Sequence, residues 1–397
     1  MKHILIFSHA LELGGAERAL IGLLHALDYS KVEVDLFLMR HSGEMMADIP
    51  PQVNLLPELP QYTCLAVPMR TVIKKRQLGV ALGRVAGKWA AARRNRQLGY
   101  DTGSSVGLEY SHKYTRRFMP PVGRRDYDLA VSFLTPHYFV AEKVQAKKKI
   151  AWIHTDYSRM LIDRESEKQM WDRYDHIGSI SDMVSECFCQ VFPELRSKLV
   201  KIENIIPASV IRKSAQAGCP DDMPCDGSLR LLSVGRYCEA KNFDNVPDIC
   251  RRISESGLDV KWYIIGFGAM EDMICQKIAE AGMEDHVILL GKRADPYPYI
   301  AHCDLYAQPS RFEGNSVTVR EAQILSKPVV ITCYATSASQ LRDGVDGIIV
   351  PMDNAGCAAG IGALLRNPAQ MHALSDGCRM GNYANTDEAR KLMELLN

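Results

Sequence analysis

The chain has 397 residues, of which 47% are hydrophobic and 24% are charged, and its formal net charge is +1. This length exceeds one ordinary hydrophobic core and the composition is that of a globular protein, so we expect two domains and exclude a disordered or fibrous chain. No apolar run approaches membrane-spanning length, the N-terminal HILIF is too short for a signal peptide, and the twelve cysteines show no CxxC pair. We therefore expect a cytoplasmic protein with reduced thiols, without disulfides or a zinc site.

The first half of the chain alternates strand-like and helix-like segments. The apolar HILIFS at its start is followed by a turn over 13–16, a helix over 17–27 and the strand VEVDLFLM. Gly14 and Gly15 in this turn permit a close backbone approach to a ligand. The helix start behind them favours an anion such as a diphosphate.

One segment carries most of the positive charge. Residues 70–125 contain 14 Lys or Arg against two acids, a net charge of +12 that leaves −11 for the rest of the chain. Two interpretations stay open: a basic amphipathic helix that contacts an anionic membrane surface through its charge, and a solvated helix packed on its own domain. No recognition motif supports nucleic acid as a partner. The apolar residues that recur among the cations are Val72, Ile73, Leu78, Val80, Leu82, Val85, Trp89 and Ala92.

Three later strand-like segments, DLAVSFL, KKIAWIH and HIGSISD, each end in a polar residue. His154 ends the second of them, at the edge where open parallel sheets place their ligands. An isolated histidine is more often structural than catalytic, so its position alone does not assign a role. Asp126 and Asp128 mimic an Asp-x-Asp metal motif, but they lead into a strand rather than ending one. We therefore predict no metal.

A domain boundary is expected between residues 204 and 229, where Pro, Gly, Ser and Asp are dense. The second half then repeats the alternation and predicts a second doubly wound sheet. Two such sheets facing each other create a cleft, the usual location of a ligand. The predicted strands of the second sheet are 229–234, 260–265, 287–290, 304–307 and 328–331.

Polar and glycine residues follow several of these strands. The run VGRYCEAKN places Arg236 just after a strand and Lys241 at the predicted start of the next helix. Two fixed cations in that position neutralise charge on a leaving phosphate. Gly266 lies in IIGFG after the next strand, and Arg293 lies in LLGKRADPY after the third.

The densest pattern is the stretch SRFEGNSVTVREAQILSKPVV. Ser316 is the predicted N-cap of a helix, so the N–H groups of Val317 and Thr318 would face an anion in front of it. Glu321 lies one turn further on the same face, about 6 Å along the axis, where it can meet a ribose diol. Glu313 lies before the helix tip, on the far side of that anion. The pattern indicates a site that could bind a nucleotide-sugar along its whole length.

The segment FEGNSVTVREA resembles the Glu-x7-Glu signature of the retaining glycosyltransferases of family 4. The Gly-Gly turn, WIHTDY, VGRYCEAKN and IIGFG occur in the order that this family shows. The resemblance implies a GT-B architecture: two Rossmann-like, doubly wound α/β domains that face each other across a cleft. We expect an acceptor-side domain over 1–207, a donor-binding domain over 208–381, and a C-terminal helix within 382–397 that returns to the first domain.

The resemblance also implies roles for individual residues. In the family, a histidine lies close to the donor sugar, a glutamate orients that sugar, and an Arg and a Lys bind the diphosphate. The implied catalytic residues are His154, Arg236, Lys241 and Glu313. The implied donor-binding residues are Gly15, Ala16, Gly266, Arg293, Gly314, Asn315, Ser316, Val317, Thr318 and Glu321.

The activity expected from this resemblance is a metal-independent transfer of a hexose-type sugar, with retention, from a nucleotide-sugar to a glycan or lipid-linked acceptor. A UDP-sugar is the favoured donor, the nucleotide-sugar is a co-substrate, and no cofactor is expected. The acceptor would belong to surface polysaccharide or glycolipid biosynthesis, and the basic segment would hold the protein on the inner face of a membrane. Two alternatives stay open: a sugar-nucleotide epimerase of the same fold, and a noncatalytic nucleotide-sugar sensor.

Overall fold

The computed structural model describes residues 1–12, 14–100, 103–123, 126–314 and 316–396. The chain forms two compact units, the first made of Met1–Ile205 and Asn385–Asn397 and the second of Ile206–Ala384. The sequence places the boundaries after residues 207 and 381, and the units divide after Ile205 and Ala384. The interrupted first unit therefore holds both termini of the chain.

The first unit is built on a seven-stranded parallel sheet with the strand order β3-β2-β1-β4-β5-β6-β7. Its strands are β1 (Lys2–Ser8), β2 (Val32–Leu38), β3 (Asn54–Leu55), β4 (Tyr127–Ser132), β5 (Ala146–Ile153), β6 (His176–Ser179) and β7 (Leu199–Lys201). Its helices up to the boundary are α1 (Gly15–Ala26), α2 (Pro60–Thr63), α3 (Met69–Lys74), α4 (Leu78–Leu98), α5 (Val106–Thr115), α6 (His137–Lys143), α7 (Arg164–Trp171) and α8 (Asp182–Val191).

The second unit has a six-stranded parallel sheet with the order β10-β9-β8-β11-β12-β13. Its elements in chain order are α9 (Ala208–Ser214), β8 (Leu229–Val234), α10 (Val246–Glu255), β9 (Val260–Ile265), α11 (Glu271–Ala281), β10 (Val287–Gly291), α12 (Tyr297–His302), β11 (Leu305–Gln308), α13 (Val317–Ile324), β12 (Val329–Thr332), α14 (Ser337–Gln340), β13 (Ile348–Val350), α15 (Asn354–Leu365) and α16 (Pro368–Met380). The last helix, α17 (Ala389–Glu394), belongs to the first unit.

Both sheets are covered on both faces, which is why their strands read as nearly continuous apolar runs. In β1, Leu5 and Phe7 enter one hydrophobic cluster while Ile4 and Ile6 enter the other. Side chains alternate across a strand, so each strand contributes to two cores. The five strands predicted for the second unit are present within one residue of their expected bounds, and β13 is an additional strand.

The basic segment forms a helix pair in which one face of α4 packs and the other is exposed. Val80, Gly83, Gly87 and Ala91 are buried, and a Cβ added to Gly87 would lie 2.7 Å from the carbonyl oxygen of Tyr110 on α5. Small residues therefore let α5 approach closely. The opposite face exposes Leu78 (67%), Leu82 (63%), Val85 (45%) and Trp89 (76%). The apolar pattern of the sequence thus divides into a packing face and an exposed stripe.

None of the helices within the described ranges combines the length and the apolar character needed to cross a bilayer.

Candidate active site

The helix α13 begins at Val317, as the sequence predicts, with Ser316 in the N-cap position. The Ser316 side chain does not cap this helix; its hydroxyl lies 3.1 Å from the hydroxyl of Thr318 instead of accepting a backbone N–H. The first amides of a helix have no partner within it, so the tip of α13 can receive an anion. Gly314, before the tip, is exposed, and Asn315 lies outside the described residues.

A glutamine that the sequence analysis missed fixes this tip. The backbone N–H of Ser316 donates to Oε1 of Gln340 (2.7 Å), and Nε2 of Gln340 donates back to the Ser316 carbonyl (3.3 Å). Gln340 is itself buried, at the end of α14. A single glutamine in a polar TSASQ segment carries no signal for this contact in the sequence. The pair of hydrogen bonds holds the turn before α13 against α14.

Glu313 and Lys241 form an ion pair that links two predicted site residues. Nζ of Lys241 lies 2.5 Å from Oε1 of Glu313, and both side chains are mostly buried, at 17% and 12% exposure. The hydroxyl of Ser310 donates to the same oxygen (2.7 Å), and Nε2 of Gln308 donates to Ser310 (3.0 Å). Lys241 ends a 3₁₀ turn over Glu239–Lys241, so the prediction that it opens a helix is wrong. This chain of contacts orients one carboxylate beside one cation.

Arg236 and Glu321 differ sharply in their surroundings. Arg236 follows β8, is exposed, and has no ion pair with any described residue. Glu321 is buried one turn into α13, where its Oε1 accepts a hydrogen bond from the hydroxyl of Tyr297 (3.1 Å). Arg236 is therefore available to an anion. Glu321 is a carboxylate in α13 that the hydrogen bond from Tyr297 holds in place. Tyr297 was not expected from the sequence, because it lies 24 residues earlier in the chain.

Gly266 is required by packing. A Cβ at this position would lie 1.9 Å from the carbonyl oxygen of Gly235, so only glycine lets the turns after β8 and β9 meet. The Gly266 N–H donates to the carbonyl of Gly291 (3.0 Å). A donor-binding role for Gly266 stays a prediction.

Arg293 is engaged with protein groups, whereas the family resemblance implies that it binds the donor, near the nucleotide base. Its Nη2 donates to Asp222 (2.6 Å) and its Nε to the hydroxyl of Tyr299 (3.0 Å). Burial alone would raise the pKa of Asp222, but the hydrogen bonds from Arg293 and Tyr299 outweigh it and hold that pKa below its usual value. Asp222 belongs to the segment that the sequence marks as a linker. The ion pair competes with any direct contact between Arg293 and a base.

In the first unit, the helix tip at Gly15 and Ala16 is faced by a carboxylate. Helix α1 begins at Gly15, and Gly14 occupies the N-cap position. Oε2 of Glu17 lies so close that a Cβ added to Gly14 would be 2.0 Å from it. Burial raises the pKa of Glu17, and a hydrogen bond to its own amide partly offsets this. The predicted diphosphate contact at this turn therefore requires Glu17 to be protonated or to move.

His154 follows β5 and lies against aromatic rings. Its ring centroid is 4.6 Å from that of Phe133 and 6.2 Å from that of Trp152, with which it is stacked. Burial lowers its pKa to about 4, and an interaction with the backbone of Phe133 offsets only part of that shift. Neither ring nitrogen has a hydrogen-bond partner among the described residues. His154 is therefore a neutral imidazole at pH 7.

A cavity of about 260 Å³ lies in the first unit beside His154. It is formed after β4 and β5 and by α5, α6 and α7. The lining is mostly apolar, with Leu134, Met160, Met170 and Trp171 among its members. The sequence analysis did not anticipate it, because its walls come from four separate segments of the chain.

Within the described ranges, no cluster of three His, Cys, Asp or Glu side chains could hold a metal ion. Asp128, part of the Asp-x-Asp sequence, serves the sheet. Its Oδ1 accepts from Nζ of Lys147 (2.8 Å) and its Oδ2 accepts from the N–H of His3 (2.9 Å). These hydrogen bonds lower the pKa of Asp128 to about 2. It therefore stands at the start of β4 as a structural residue.

Comparison with known proteins finds sequence similarity over part of this chain. Residues 228–367 match the family model described as "Glycosyl transferases group 1". The N-acetylgalactosamine-N,N'-diacetylbacillosaminyl-diphospho-undecaprenol 4-alpha-N-acetylgalactosaminyltransferase of Campylobacter jejuni is 35% identical over 125 residues, which are 31% of this chain and 33% of that protein. The match thus spans about a third of the length of that relative.

Two solved structures share the fold over the whole chain. Anabaena HepE in complex with UDP and glucose has a TM-score of 0.65 at 15% identity and covers 99% of both chains. A variant of Staphylococcus aureus TarM, in complex with Fondaparinux, alpha-GlcNAc-glycerol and UDP, has a TM-score of 0.66 at 13% identity and covers 100% of both. The chain therefore has the two-domain α/β GT-B fold, and the resemblance to the glycosyltransferases of this fold is confirmed. Its residues 228–367 are similar to the group 1 glycosyl transferases, and placement in family 4 stays a prediction.

Proposed function

We propose that this protein is a retaining glycosyltransferase that moves a hexose-type sugar from a nucleoside diphosphate donor, with UDP favoured, to a glycan or lipid-linked acceptor. The observation that carries the proposal is the tip of α13. The amides of Val317 and Thr318 lie at the uncapped start of α13, a few residues after Glu313, which pairs with Lys241. A buried carboxylate, Glu321, lies one turn further along the helix. The Campylobacter jejuni relative is named for a sugar linked to diphospho-undecaprenol, and HepE and TarM were crystallised with UDP, which supports the choice of a UDP donor and a lipid-linked acceptor.

Each group has a task in this proposal. The diphosphate lies at the tip of α13, where the amides and the positive charges of Lys241 and Arg236 stabilise it. Glu321 accepts hydrogen bonds from the ribose hydroxyls. Glu313, whose position is fixed by Lys241 and Ser310, accepts from hydroxyls of the donor sugar.

The reaction breaks the bond between C1 of the sugar and the phosphate oxygen, and the electron pair goes to that oxygen. The acceptor hydroxyl forms the new bond to C1 on the same face, and its proton passes to the departing phosphate. No protein nucleophile takes part. Lys241, Arg236 and the amides stabilise the charge on the diphosphate as it leaves. His154 is a neutral imidazole and can accept or donate one hydrogen bond without adding charge.

The donor site is tested by thermal shift with UDP-, GDP- and ADP-sugars. One nucleotide should stabilise the wild type, by an amount that grows with the ratio of free ligand to Kd. Glu321→Gln keeps the shape of the side chain and an acceptor for Tyr297 but removes the charge, so the shift should shrink. Glu284→Ala, which removes an exposed carboxylate of the same unit, is the matched control. No shift with any nucleotide, or equal shifts in all three proteins, would refute the donor site.

Turnover separates the alternatives. A transferase consumes donor only when acceptor is present, an epimerase interconverts donor without acceptor, and a sensor does neither. Lipid-linked and oligosaccharide acceptors with radiolabelled donor, compared with donor alone, distinguish the three. NMR of the product gives its anomeric configuration, and comparison with the donor shows whether that configuration is retained.

The exposed stripe of α4 gives the protein a surface for an anionic membrane. Leu78, Leu82, Val85 and Trp89 project from a helix whose neighbouring basic residues include Lys88, and Lys88 has no ion pair with a described residue. Exposed apolar side chains among cations are typical of interfacial helices. The contact therefore combines charge attraction with shallow insertion of the stripe, whereas charge alone was expected from the sequence.

Vesicle co-sedimentation tests this contact. Binding to phosphatidylglycerol vesicles should exceed binding to phosphatidylcholine vesicles and should fall in the double variant Leu82→Ser, Trp89→Ser. Met380→Ser, which changes an apolar side chain of the second unit that is 88% exposed, serves as control. Equal binding to neutral and anionic vesicles would contradict the role of charge, and an unchanged double variant would contradict insertion.

A further inference from the structure

The cavity beside His154 is lined by residues with buried polar atoms that have no hydrogen-bond partner in the described part of the chain. Of the buried side-chain atoms without a hydrogen-bond partner in the described residues, four belong to residues that line this cavity. They are Oε2 of Glu109, Nε1 of Trp152, and both ring nitrogens of His154. Glu109 is 8% exposed and Trp152 is 3% exposed. A buried polar atom left without a partner costs stability, so such a cluster in one cavity indicates a ligand that completes it.

The unsatisfied atoms define what that ligand must offer. The indole N–H of Trp152 can only donate, so the ligand needs an acceptor. The other Glu109 oxygen already accepts from Tyr138 (2.7 Å) and Ser166 (2.5 Å), so its free oxygen calls for a further donor. A neutral imidazole offers one donor and one acceptor. A ligand that places a carbonyl and an N–H or O–H side by side meets all of these demands.

The rest of the lining favours a ligand with an apolar portion and without a negative charge. Leu134, Met160 and Met170 offer no polar partner, and no Lys or Arg is among the described residues that line the cavity. Burial lowers the pKa of His112 and of His137 to about 3, so these two lining histidines are also neutral at pH 7. An anionic group would find no cation here.

Size narrows the choice further. About 260 Å³ has room on the order of eight water molecules at about 30 Å³ each, which suits one six-membered ring with a short substituent. A secondary amide on a sugar ring supplies an acceptor carbonyl, a donor N–H and an apolar methyl group within that space. A hexose without this group would leave the apolar wall in contact with hydroxyls only.

We infer that this cavity is the acceptor subsite and that it selects an uncharged N-acylated amino sugar, an N-acetylhexosamine unit, through Trp152, His154 and Glu109. The assignment of the bound sugar as the acceptor rests on the proposed function, but the binding of the sugar does not depend on turnover. In this arrangement the acetyl methyl group contacts the apolar wall, the carbonyl accepts from Trp152, and the amide N–H donates to Glu109.

Saturation-transfer NMR on the full-length protein without donor tests the inference directly. The probes are the methyl glycosides of N-acetylglucosamine, N-acetylgalactosamine, glucose, galactose and glucosamine. We expect the acetyl methyl protons to receive the strongest saturation. The two hexosides and the cationic glucosaminide should bind at least about tenfold more weakly, since each leaves buried groups unpaired.

Two variants localise the binding. Trp152→Phe keeps an aromatic ring but removes the N–H, and Glu109→Gln removes the acceptor oxygen. Each should weaken the N-acetylhexosaminide about three- to tenfold. Glu165→Gln, which changes an exposed carboxylate of the same unit, should leave it unchanged. Thermal melting confirms that each variant is folded before its binding is compared.

The outcomes are distinct from those of the donor test. Equal binding of hexoside and N-acetylhexosaminide, binding of neither, or unaltered binding in both folded cavity variants would overturn the inference while leaving a UDP-sugar shift intact. Selective binding of the N-acetylhexosaminide together with no response to any nucleotide-sugar would uphold the sugar site and refute the proposed donor. Preferred binding of the glucosaminide would show that the cavity recognises a cation instead.

Discussion

Glu167 should make the stability of the first unit depend on pH in a way that a single substitution abolishes. Its carboxylate on α7 is 5% exposed and accepts hydrogen bonds from the hydroxyl of Tyr157 (3.0 Å) and from Nε1 of Trp171 (3.4 Å). Burial, reinforced by the nearby Glu109, raises its pKa from 4.5 to about 7, against the smaller effect of these hydrogen bonds. The folded state therefore prefers the protonated acid.

The magnitude and its sign follow from linkage. A shift from 4.5 to about 7 corresponds to about 3 kcal/mol, at about 1.4 kcal/mol for each pKa unit. Because the folded pKa is the higher one, this contribution is fully present below about pH 4.5 and is lost as pH rises through 7. Glu167→Gln cannot ionise. The free energy of unfolding of the wild type should therefore fall by about 2–3 kcal/mol relative to that of the variant between pH 5 and pH 8.

Urea denaturation followed by tryptophan fluorescence measures this difference, because Trp89, Trp152 and Trp171 lie in the first unit and only Trp262 lies in the second. The comparison of the two proteins cancels the pH dependence of the groups that do not interact with Glu167. Glu165→Gln, on the exposed side of the same helix, should differ from the wild type by a constant amount. A constant difference for Glu167→Gln as well would refute the reasoning.

Three further predictions concern stability and the site. A double-mutant cycle with Lys241→Met and Glu313→Gln should give a coupling of about 1–3 kcal/mol in the thermal unfolding of the second unit; a coupling near zero would contradict the buried pair. Gly266→Ala should cost about 2 kcal/mol or more in urea unfolding, whereas Gly15→Ala, whose Cβ meets nothing within 4 Å, should stay within about 1 kcal/mol. Gln340→Leu should lower the free energy of unfolding by about 1–2 kcal/mol and weaken the thermal shift with UDP-sugar, since the Ser316 N–H loses its acceptor. An unaltered thermal shift would show that this turn does not contribute to donor binding.

Features set by neighbouring residues could be predicted from the sequence. The start of α13 and the spacing of Glu313 and Glu321 depend on a turn followed by helical periodicity, and the apolar runs of the strands depend on burial from both sides. The GT-B fold was reached through motifs in a fixed order. These parts of the molecule need no knowledge of distant partners.

Contacts between distant residues could not be predicted. Lys241 and Glu313 lie 72 residues apart, and nothing in either segment shows that they pair. Arg293 follows a strand, as a ligand-binding residue would, yet its guanidinium forms an ion pair with Asp222, 71 residues earlier. On α4, Val80 and Leu82 carry the same hydrophobic signal, yet Val80 joins the core of the first unit and Leu82 is exposed.

The second unit is continuous in sequence, and the first is not. The N–H of Ile206 donates to the carbonyl of Ala384 (2.9 Å), so the second unit begins and ends at one point, as an insertion within the other. During synthesis the first unit lacks α17, whose Ala389 and Leu392 join its core, until the ribosome has finished the whole of the second. The second unit can therefore fold first, as an independent body, and the unit that is started first is completed last. Expression of residues 206–384 alone should give a folded domain, while residues 1–205 alone should expose the apolar surface that α17 covers.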